Sequence, residues 1–511
     1  MTCLYDHYAA PVKTTAPGIL AIAINRSARE PLYQQVYDRL RDAIVERLLT
    51  AGQRLPSTRT LAVELAISRI PVLAAFEQLL AEGYFESRAG SGTFVSASLP
   101  DHMRALKRPS TGKSRPAGPR LLARRPAMLL RKRAEPWLEG FGAFRMSEPA
   151  LDHFPFSIWS RVVARHSRRR AGLNYGSPMG DMALRQALTV HLRTARGVRC
   201  EAGQIMVVSG SQQALEITAR VLLEPGQPVW IEEPGYGGAR DALLMAGARL
   251  VPVPVDHEGL NVPAGIKACR RARAAYVTPS HQYPLGATMS AARRLQLLDW
   301  AQTHGSWIIE DDYDSEYRYE SQPIAALQGL DRDARVVYIG TFSKVLFPAL
   351  RVGYLVIPAD LVDRFSAVRE AMDICPPALN PAVLADFIAE GHFARHLRRT
   401  SLLYRERRSV LVDSLQRLLS PRLTVVGADA GIHLVALHDR PWDRPIAQKA
   451  AQQGLWVMPL SACYLGRPKH HGLVLGYGGT SAAEIPRAVK RLQETLVTRH
   501  RWASAPTTCP M

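Results

Sequence analysis

The segment GTFSKVLFPALRVGYL, residues 340–355, decides how the large C-terminal part of the chain is interpreted. It continues an apolar run, 335–340, that predicts a buried strand. Just after the end of that strand the segment places Lys344 beside hydroxyl side chains. An amine in such a position is suited to a Schiff base with an aldehyde, near a phosphate group. Taken alone, Lys344 could equally be a solvated lysine in a loop.

Other apolar runs upstream alternate with helical patterns, which is typical of a parallel sheet covered by helices. The predicted strands are 204–209, 228–232, 274–278 and 306–310. The last of them is followed by Asp311-Asp312-Tyr313, and α/β folds place ligand-binding groups at such strand ends. A buried carboxylate there is unfavourable unless it meets a cation.

The groups at these strand ends together fit pyridoxal 5′-phosphate (PLP). Lys344 would hold the aldehyde as an aldimine, and Asp311 would pair with the ring nitrogen. Tyr313 lies two residues further along an extended chain, and therefore on the same side, where it would donate to the ring oxygen. Each residue also has a simpler structural interpretation, such as a strand-end cap for Asp311. The predicted ring lid and phosphate contacts are Tyr236, Ser211, Gln212, Ser343 and Arg351.

Six strings in this part of the chain resemble fold-type I aminotransferases. They are NYGSPMGDMALR, VVSGSQQALEITARVLLEPG, IEEPGYGGARDAL, TPSHQYPLGATMS, IIEDDYDSEYRY and GTFSKVLFPALRVGYL. The resemblance implies an α/β domain over 141–505, with a large mixed sheet and a smaller subdomain from about 365. It gives Lys344 and Asp311 the roles stated above. It also implies a homodimer in which Tyr175 reaches the phosphate bound by the partner subunit.

Two positions depart from the aminotransferase pattern. Tyr283 stands where an Asn-Pro-x-Gly motif usually has its Asn. Val474 stands where an Arg usually binds the substrate α-carboxylate, and Arg467 is a nearby alternative. Without such an Arg, an amino-acid effector lacks its bidentate partner.

The N-terminal region 31–97 predicts three helices and a hairpin. Apolar residues recur every four positions from Leu32 to Leu48, which indicates an amphipathic helix. Ser57 and Ser68 are expected to cap a short second helix and a longer third helix. Two short strands then flank a glycine turn.

This plan is a winged helix-turn-helix, an α+β fold whose third helix would enter the major groove of DNA. A small helical packing domain with scattered surface arginines is the alternative on spacing alone. The string from 31 to 96 resembles the GntR-type DNA-binding domain along its whole length, with Arg47 where that family usually has Gly. The predicted DNA contacts are Arg54, Ser57, Arg59, Ser68, Arg69, Arg88, Gly90 and Gly92.

Charge separates these two regions. The chain has a net charge of +20, yet 31–97 is neutral, whereas 98–135 holds eleven Lys/Arg and two acids. We therefore predict a flexible basic linker over 98–140. Residues 1–30 form a predicted N-terminal arm before the region 31–97. A basic tail that only aids solubility is the alternative.

Composition excludes several classes of protein. The chain is 511 residues long, and 47% of them are apolar, as in ordinary globular proteins. Its six cysteines have no metal-ligand or disulfide-scaffold spacing, so no metal site is predicted. No apolar stretch approaches a membrane span, and a cytoplasmic protein is expected.

A GntR-type domain joined to an aminotransferase-like domain resembles the MocR/GabR class of bacterial transcriptional regulators. The resemblance implies a homodimer that binds operator DNA, and the nucleoid as its place of action. Its signal would be PLP itself, in vitamin B6 homeostasis, or an amino compound that reacts at Lys344. The alternative is an active PLP-dependent aminotransferase that carries a DNA-binding module.

Overall fold

The computed structural model describes residues 23–97, 125, 135, 137, 140–169, 174–319 and 324–497. The chain divides into two compact units, Met1–Leu121 and Leu122–Met511. The predicted linker lies almost wholly outside the described residues, as does most of the predicted N-terminal arm. No helix in the described ranges is long and apolar enough to cross a bilayer.

The first unit is a winged helix-turn-helix. Its elements are α1 (Leu32–Val45), α2 (Thr58–Glu64), α3 (Arg69–Ala81), β1 (Phe85–Arg88) and β2 (Gly92–Val95). The two strands pair as an antiparallel hairpin. The apolar faces of the three helices and the hairpin enclose one core, which is this unit's own.

The first helix ends earlier than its apolar spacing predicts. Arg47 has a φ of +59°, so the chain turns out of the helix after Glu46. Leu48 is consequently 55% exposed, and Leu49 is buried in its place. Gly adopts a left-handed backbone conformation more easily than other residues, which explains why the related domains usually have Gly at this turn.

The second unit is built on an eight-stranded sheet in the order β3-β10-β9-β8-β7-β4-β5-β6. The strands are β3 (Ile205–Val208), β4 (Pro228–Glu233), β5 (Arg249–Asp256), β6 (Gly259–Leu260), β7 (Ala274–Val277), β8 (Trp307–Asp312), β9 (Val336–Thr341) and β10 (Gly353–Val356). Strands β5, β4, β7, β8 and β9 run parallel, while β10 is antiparallel to both β9 and β3. The carboxyl ends of β3, β4, β7, β8 and β9 therefore meet at one edge of the sheet.

Helices cover this sheet and connect its strands. They are α4 (Phe156–Ser167), α5 (Met182–Arg196), α6 (Ser211–Leu222), α7 (Gly237–Met245), α8 (Val262–Cys269) and α9 (Ala291–His304). The β3, β4, β7, β8 and β9 strands are almost entirely buried, as expected for a sheet covered on both faces.

A smaller antiparallel sheet lies further along the chain, in the order β11-β12-β14-β13. Its strands are β11 (Thr424–Val426), β12 (His433–His438), β13 (Met458–Pro459) and β14 (His471–Gly476). The accompanying helices are α10 (Val362–Asp373), α11 (Leu379–Ala389), α12 (His392–Leu419), α13 (Asp443–Ala451) and α14 (Ile485–Val497). The segment at 143–144 adds backbone hydrogen bonds to this sheet region, so the smaller subdomain also uses residues from well before 365.

Candidate functional site

A cavity of about 190 Å³ opens where the carboxyl ends of the parallel strands meet. Cavities of about 150 Å³ hold a benzene ring, so this one has room for a single substituted ring. Eight of the nine predicted cofactor contacts line it: Ser211, Gln212, Tyr236, Asp311, Tyr313, Ser343, Lys344 and Arg351. The topology thus brings together groups that are far apart in the sequence.

Asp311 lies at the end of β8, and strand alternation decides which carboxylate faces the cavity. Asp312 lies on the opposite side, where it accepts from Arg196 Nε at 2.9 Å and from Tyr338 Oη at 2.6 Å. Asp311 Oδ2 accepts from the Tyr276 hydroxyl at 2.8 Å. Its Oδ1 is buried and has no hydrogen-bond partner among the described residues. An unpartnered carboxylate oxygen in the cavity wall fits the protonated ring nitrogen of PLP.

Burial favours the uncharged forms of both Asp311 and Lys344 and shifts their pKa values accordingly. It raises the pKa of Asp311 to about 7, and it lowers the pKa of Lys344 to about 8. Each group opposes the shift of the other, because the charged forms attract. A lysine whose pKa is lowered carries a larger fraction of neutral amine, which is the form that attacks an aldehyde.

The predicted phosphate contacts lie at the first turn of α6. Gly210 precedes this helix with a φ of +97°, and the helix begins at Ser211. Arg351, with a φ of +51°, folds across the turn and donates from Nη2 to the Ser209 carbonyl at 2.6 Å. A helix N-terminus beside a guanidinium forms a site for an anion such as phosphate.

Three aromatic rings form the apolar wall of the cavity. The Tyr236 and Tyr283 rings meet edge to face at 5.5 Å, and the Tyr283 and Tyr313 rings do so at 6.0 Å. Tyr283, which stands where aminotransferases usually have Asn, is half-buried and lines the cavity. Burial raises the pKa of Tyr313 well above its ordinary value, so its phenol remains a hydrogen-bond donor.

A buried polar group lies behind Tyr313. The His281 Nδ1 atom is 3.2 Å from the Tyr313 hydroxyl and 3.0 Å from Asp314 Oδ1. The ring of His433 lies 4.9 Å from that of His281 and is tilted by 44° to it. Among the described residues, these two histidines and Asp314 are the group whose ligand atoms are close enough together to hold a metal ion.

Tyr175, Arg467 and Val474 lie away from this cavity. Tyr175 is 82% exposed and lines a separate cavity of about 710 Å³. Arg467 is exposed and does not line the cavity that contains Lys344. The arginine that lines that cavity is Arg351. Val474 is fully buried, and its β14 position pairs with Val435 and Met458 in an apolar cluster.

Sequence reasoning missed several lining residues. Tyr276 lies in the predicted strand 274–278 and is not among the predicted site residues. A tyrosine in an otherwise apolar buried strand indicates that its hydroxyl has a buried hydrogen-bond partner. Thr341 Oγ1 donates to Ser343 Oγ at 3.2 Å and orients it. Ser147, Thr278 and Pro348 complete the lining.

In the winged-helix unit, the predicted DNA contacts occupy exposed positions. Ser57 caps α2, since its hydroxyl accepts from the Thr60 amide at 3.1 Å. Ser68 occupies the N-cap position of α3, but its side chain makes no capping hydrogen bond, contrary to prediction. Arg69 Nε donates to Thr58 Oγ1 at 3.1 Å and so lies against the start of α2.

The wing is an exposed turn between the two strands. Gly90 and Gly92 have φ values of +72° and +108°, which only Gly adopts readily. The Arg54 side chain lies beside Gly92. Arg88 pairs with Glu86 and lies over the Phe94 ring, so it is engaged within its own hairpin.

Comparison with known proteins assigns both units to families. The family "Bacterial regulatory proteins, gntR family" matches residues 32–95, and "Aminotransferase class I and II" matches 146–492. The probable rhizopine catabolism regulatory protein MocR of Rhizobium meliloti is 41% identical over 479 residues, which are 93% of this chain and 96% of MocR. The chain belongs to the MocR-type regulators.

Other similar proteins agree with this assignment. The pyridoxine biosynthesis transcriptional regulator PdxR of Corynebacterium glutamicum is 32% identical and covers 90% of this chain and 94% of its own. Kynurenine aminotransferase from Pyrococcus horikoshii is 26% identical, with a TM-score of 0.66 over 75% of this chain and 96% of its own. This MocR-type chain is thus an HTH-type transcriptional regulator with a fold-type I aminotransferase domain, whose family is PLP-dependent.

Proposed function

We propose that this regulator binds PLP at Lys344 and that its affinity for operator DNA responds to the bound cofactor. The observation that carries this proposal is the cavity lined by both Lys344 and Asp311, whose Oδ1 has no hydrogen-bond partner among the described residues. Bound PLP supplies an electrophilic aldehyde and an electron-withdrawing ring.

The residues of the chain have separate tasks in this proposal. Lys344 supplies the neutral amine, and Asp311 holds the proton on the ring nitrogen while Tyr276 orients its carboxylate. Tyr313 donates to the ring oxygen, and Tyr236 covers the ring. The phosphate binds at the start of α6 through Ser211, Gln212, Ser343 and Arg351.

The winged-helix unit would bind the operator, with α3 in the major groove and the wing beside it. Arg54, Arg59 and Arg69 have no ion pair among the described residues, so they remain available for phosphates or base edges. A homodimer, with Tyr175 reaching the partner's phosphate site, would present two such units to two half-sites. Such a protein acts in the bacterial cytoplasm, on the nucleoid when bound to DNA.

The residues of the cavity favour PLP itself, rather than an amino-acid effector, as the signal. An amino-acid effector would bring an α-carboxylate, and desolvating that group without a cation is unfavourable. Val474 is buried in an apolar cluster and Arg467 is exposed, so neither supports a carboxylate site here. PdxR is named for pyridoxine biosynthesis, which agrees with PLP, whereas MocR is named for rhizopine catabolism.

A working aminotransferase is the second candidate function. The Lys344, Asp311 and Tyr313 set that supports cofactor chemistry is complete in the cavity. The apolar surroundings of Val474 weigh against efficient binding of amino-acid substrates. Production of a 2-oxo acid from an amino donor, at many turnovers per chain, would favour this candidate.

A band-shift experiment tests the proposal. The DNA is the region upstream of the protein's own gene, and the proteins are the wild type, Lys344→Ala and Lys267→Ala, each with and without PLP. Lys267 is an exposed lysine outside the cavity and serves as the matched control. We expect PLP to change the DNA affinity of the wild type and of Lys267→Ala, but not that of Lys344→Ala.

An equal response of Lys344→Ala to PLP would contradict the proposal. A second titration adds amino acids, amines and sulfonates to the PLP-loaded wild type. If one of them changes both the visible absorbance and the DNA affinity at sub-millimolar concentration, an amino compound is the signal in place of PLP.

A further inference from the structure

The third helix of the winged-helix unit carries an apolar side chain on its outer face. Val72, Phe76 and Leu79 of α3 are buried in the core. Ile70, in the first turn, is 77% exposed. A large aliphatic side chain in that position stabilises nothing within the described unit, because its surface is left in water.

The surroundings of Ile70 are polar and basic. Arg69 precedes it, with Nε on Thr58 Oγ1. Arg59 in α2 is exposed, and neither arginine forms an ion pair among the described residues. The exposed Ser68 hydroxyl makes no capping bond to α3. Ile70 is therefore an exposed apolar side chain at the N-terminus of α3, surrounded by cations and hydrogen-bond donors.

That combination is complementary to the major groove of DNA. The groove is bordered by phosphates and carries hydrogen-bonding base edges, and its one apolar group is the C5 methyl of thymine. In a helix-turn-helix, the N-terminal residues of the recognition helix reach those base edges. Ile70 has no donor or acceptor, so it can distinguish bases only through that methyl group.

We propose that Ile70 is a specificity-determining residue that contacts the C5 methyl of one thymine in each operator half-site. This inference rests on the proposed DNA-binding function. Arg69 and Arg59 would hold the helix on the backbone or on neighbouring bases. Ile70 would make the protein prefer thymine to cytosine at that position.

The test removes one methyl group at a time from the DNA. A preferred duplex is selected from random sequences with the full-length, PLP-loaded protein, and each thymine is then replaced by deoxyuridine. Deoxyuridine keeps every hydrogen-bonding group of thymine and lacks only the methyl. We expect one position in each half-site at which the wild type loses about fourfold in affinity, the value of one buried methyl group.

The same duplexes are measured with Ile70→Ala, Ile70→Val and Leu73→Ala. Ile70→Ala is expected to bind the thymine duplex more weakly and to lose nothing further with deoxyuridine, which is the signature of a direct contact. Ile70→Val keeps the apolar branch at Cβ and loses only the terminal methyl group, so it should retain the thymine preference. Leu73, 40% exposed and one turn further from the N-terminus, is the matched apolar control and should leave the preference unchanged.

Salt dependence separates this contact from a general loss of binding. Ile70→Ala should keep the wild-type salt slope, whereas Arg59→Ala should reduce it if that arginine contacts a phosphate. If Ile70→Ala keeps the full deoxyuridine penalty at every position, the inference is wrong while DNA binding stands. If the wild type selects no sequence at all, the proposed function fails and this inference fails with it.

Discussion

At the residue scale, the chemistry of the cavity depends on two charges that burial makes costly. Lys344 and Asp311 both line a small cavity, and burial moves the pKa of each toward the neutral form. Their mutual attraction opposes those shifts. The result is an amine with a pKa of about 8, poised to react near neutral pH.

A pH titration of cofactor uptake follows from this pKa. Below pH 8 the Lys344 amine is mostly protonated, so the rate of PLP uptake by the cofactor-free chain should rise about tenfold per pH unit and level off above pH 8. Stopped-flow absorbance measures the rate. Lys267→Ala should behave as the wild type, and Lys344→Ala should show no uptake band. A midpoint near 10, the value of an ordinary lysine, would contradict this prediction.

At the element scale, the turn between β3 and α6 positions the predicted phosphate contacts. Gly210 has a φ of +97° and a ψ of 175°, a region open essentially to Gly alone. An added Cβ would lie 3.0 Å from Arg351 Nη2, where that side chain crosses the turn. The conformation of the turn and the position of the Arg351 side chain therefore depend on each other, and a change in either affects both.

Gly210→Ala should destabilise the chain by about 1–3 kcal/mol, the cost of this backbone conformation for a residue with a side chain. It should also weaken PLP retention, because Arg351 must move. Denaturant unfolding and dialysis against cofactor-free buffer measure the two effects. Gly203→Ala is the control, since an added Cβ there meets nothing within 4 Å. Equal retention of PLP by both variants would exclude this role of the turn.

At the scale of the whole molecule, the chain consists of two units with separate cores. The winged-helix core contains residues from α1, α2, α3 and the hairpin, together with Leu49 and Leu55 from the segment between α1 and α2. The cores of the second unit draw only on residues of that unit. The core residues that stabilise each unit therefore belong to that unit.

The fragments 1–121 and 122–511 should fold separately. The first should unfold cooperatively by circular dichroism and bind DNA without absorbing visible light. The second should develop the visible absorbance of bound PLP and should not bind DNA. Loss of helical signal from either fragment would mean that its core needs the other unit.

Much of this organisation could be predicted from the sequence by itself. The strand before Asp311 and the strand before Lys344 were visible as apolar runs, because a covered parallel sheet requires nearly continuous apolar residues. The three helices and the hairpin of the first unit followed from local periodicity and turn residues. These features are local, so a single stretch of chain determines them.

Only the tertiary structure decided how distant groups meet. Tyr276 bonds Asp311 because β7 and β8 are neighbours, and Arg351 crosses the turn at Ser209 because β10 lies between β9 and β3. The same is true of the exposure of Ile70, which depends on which face of α3 the core covers. Sheet order and packing are collective properties of the chain, and no local pattern in the sequence encodes them.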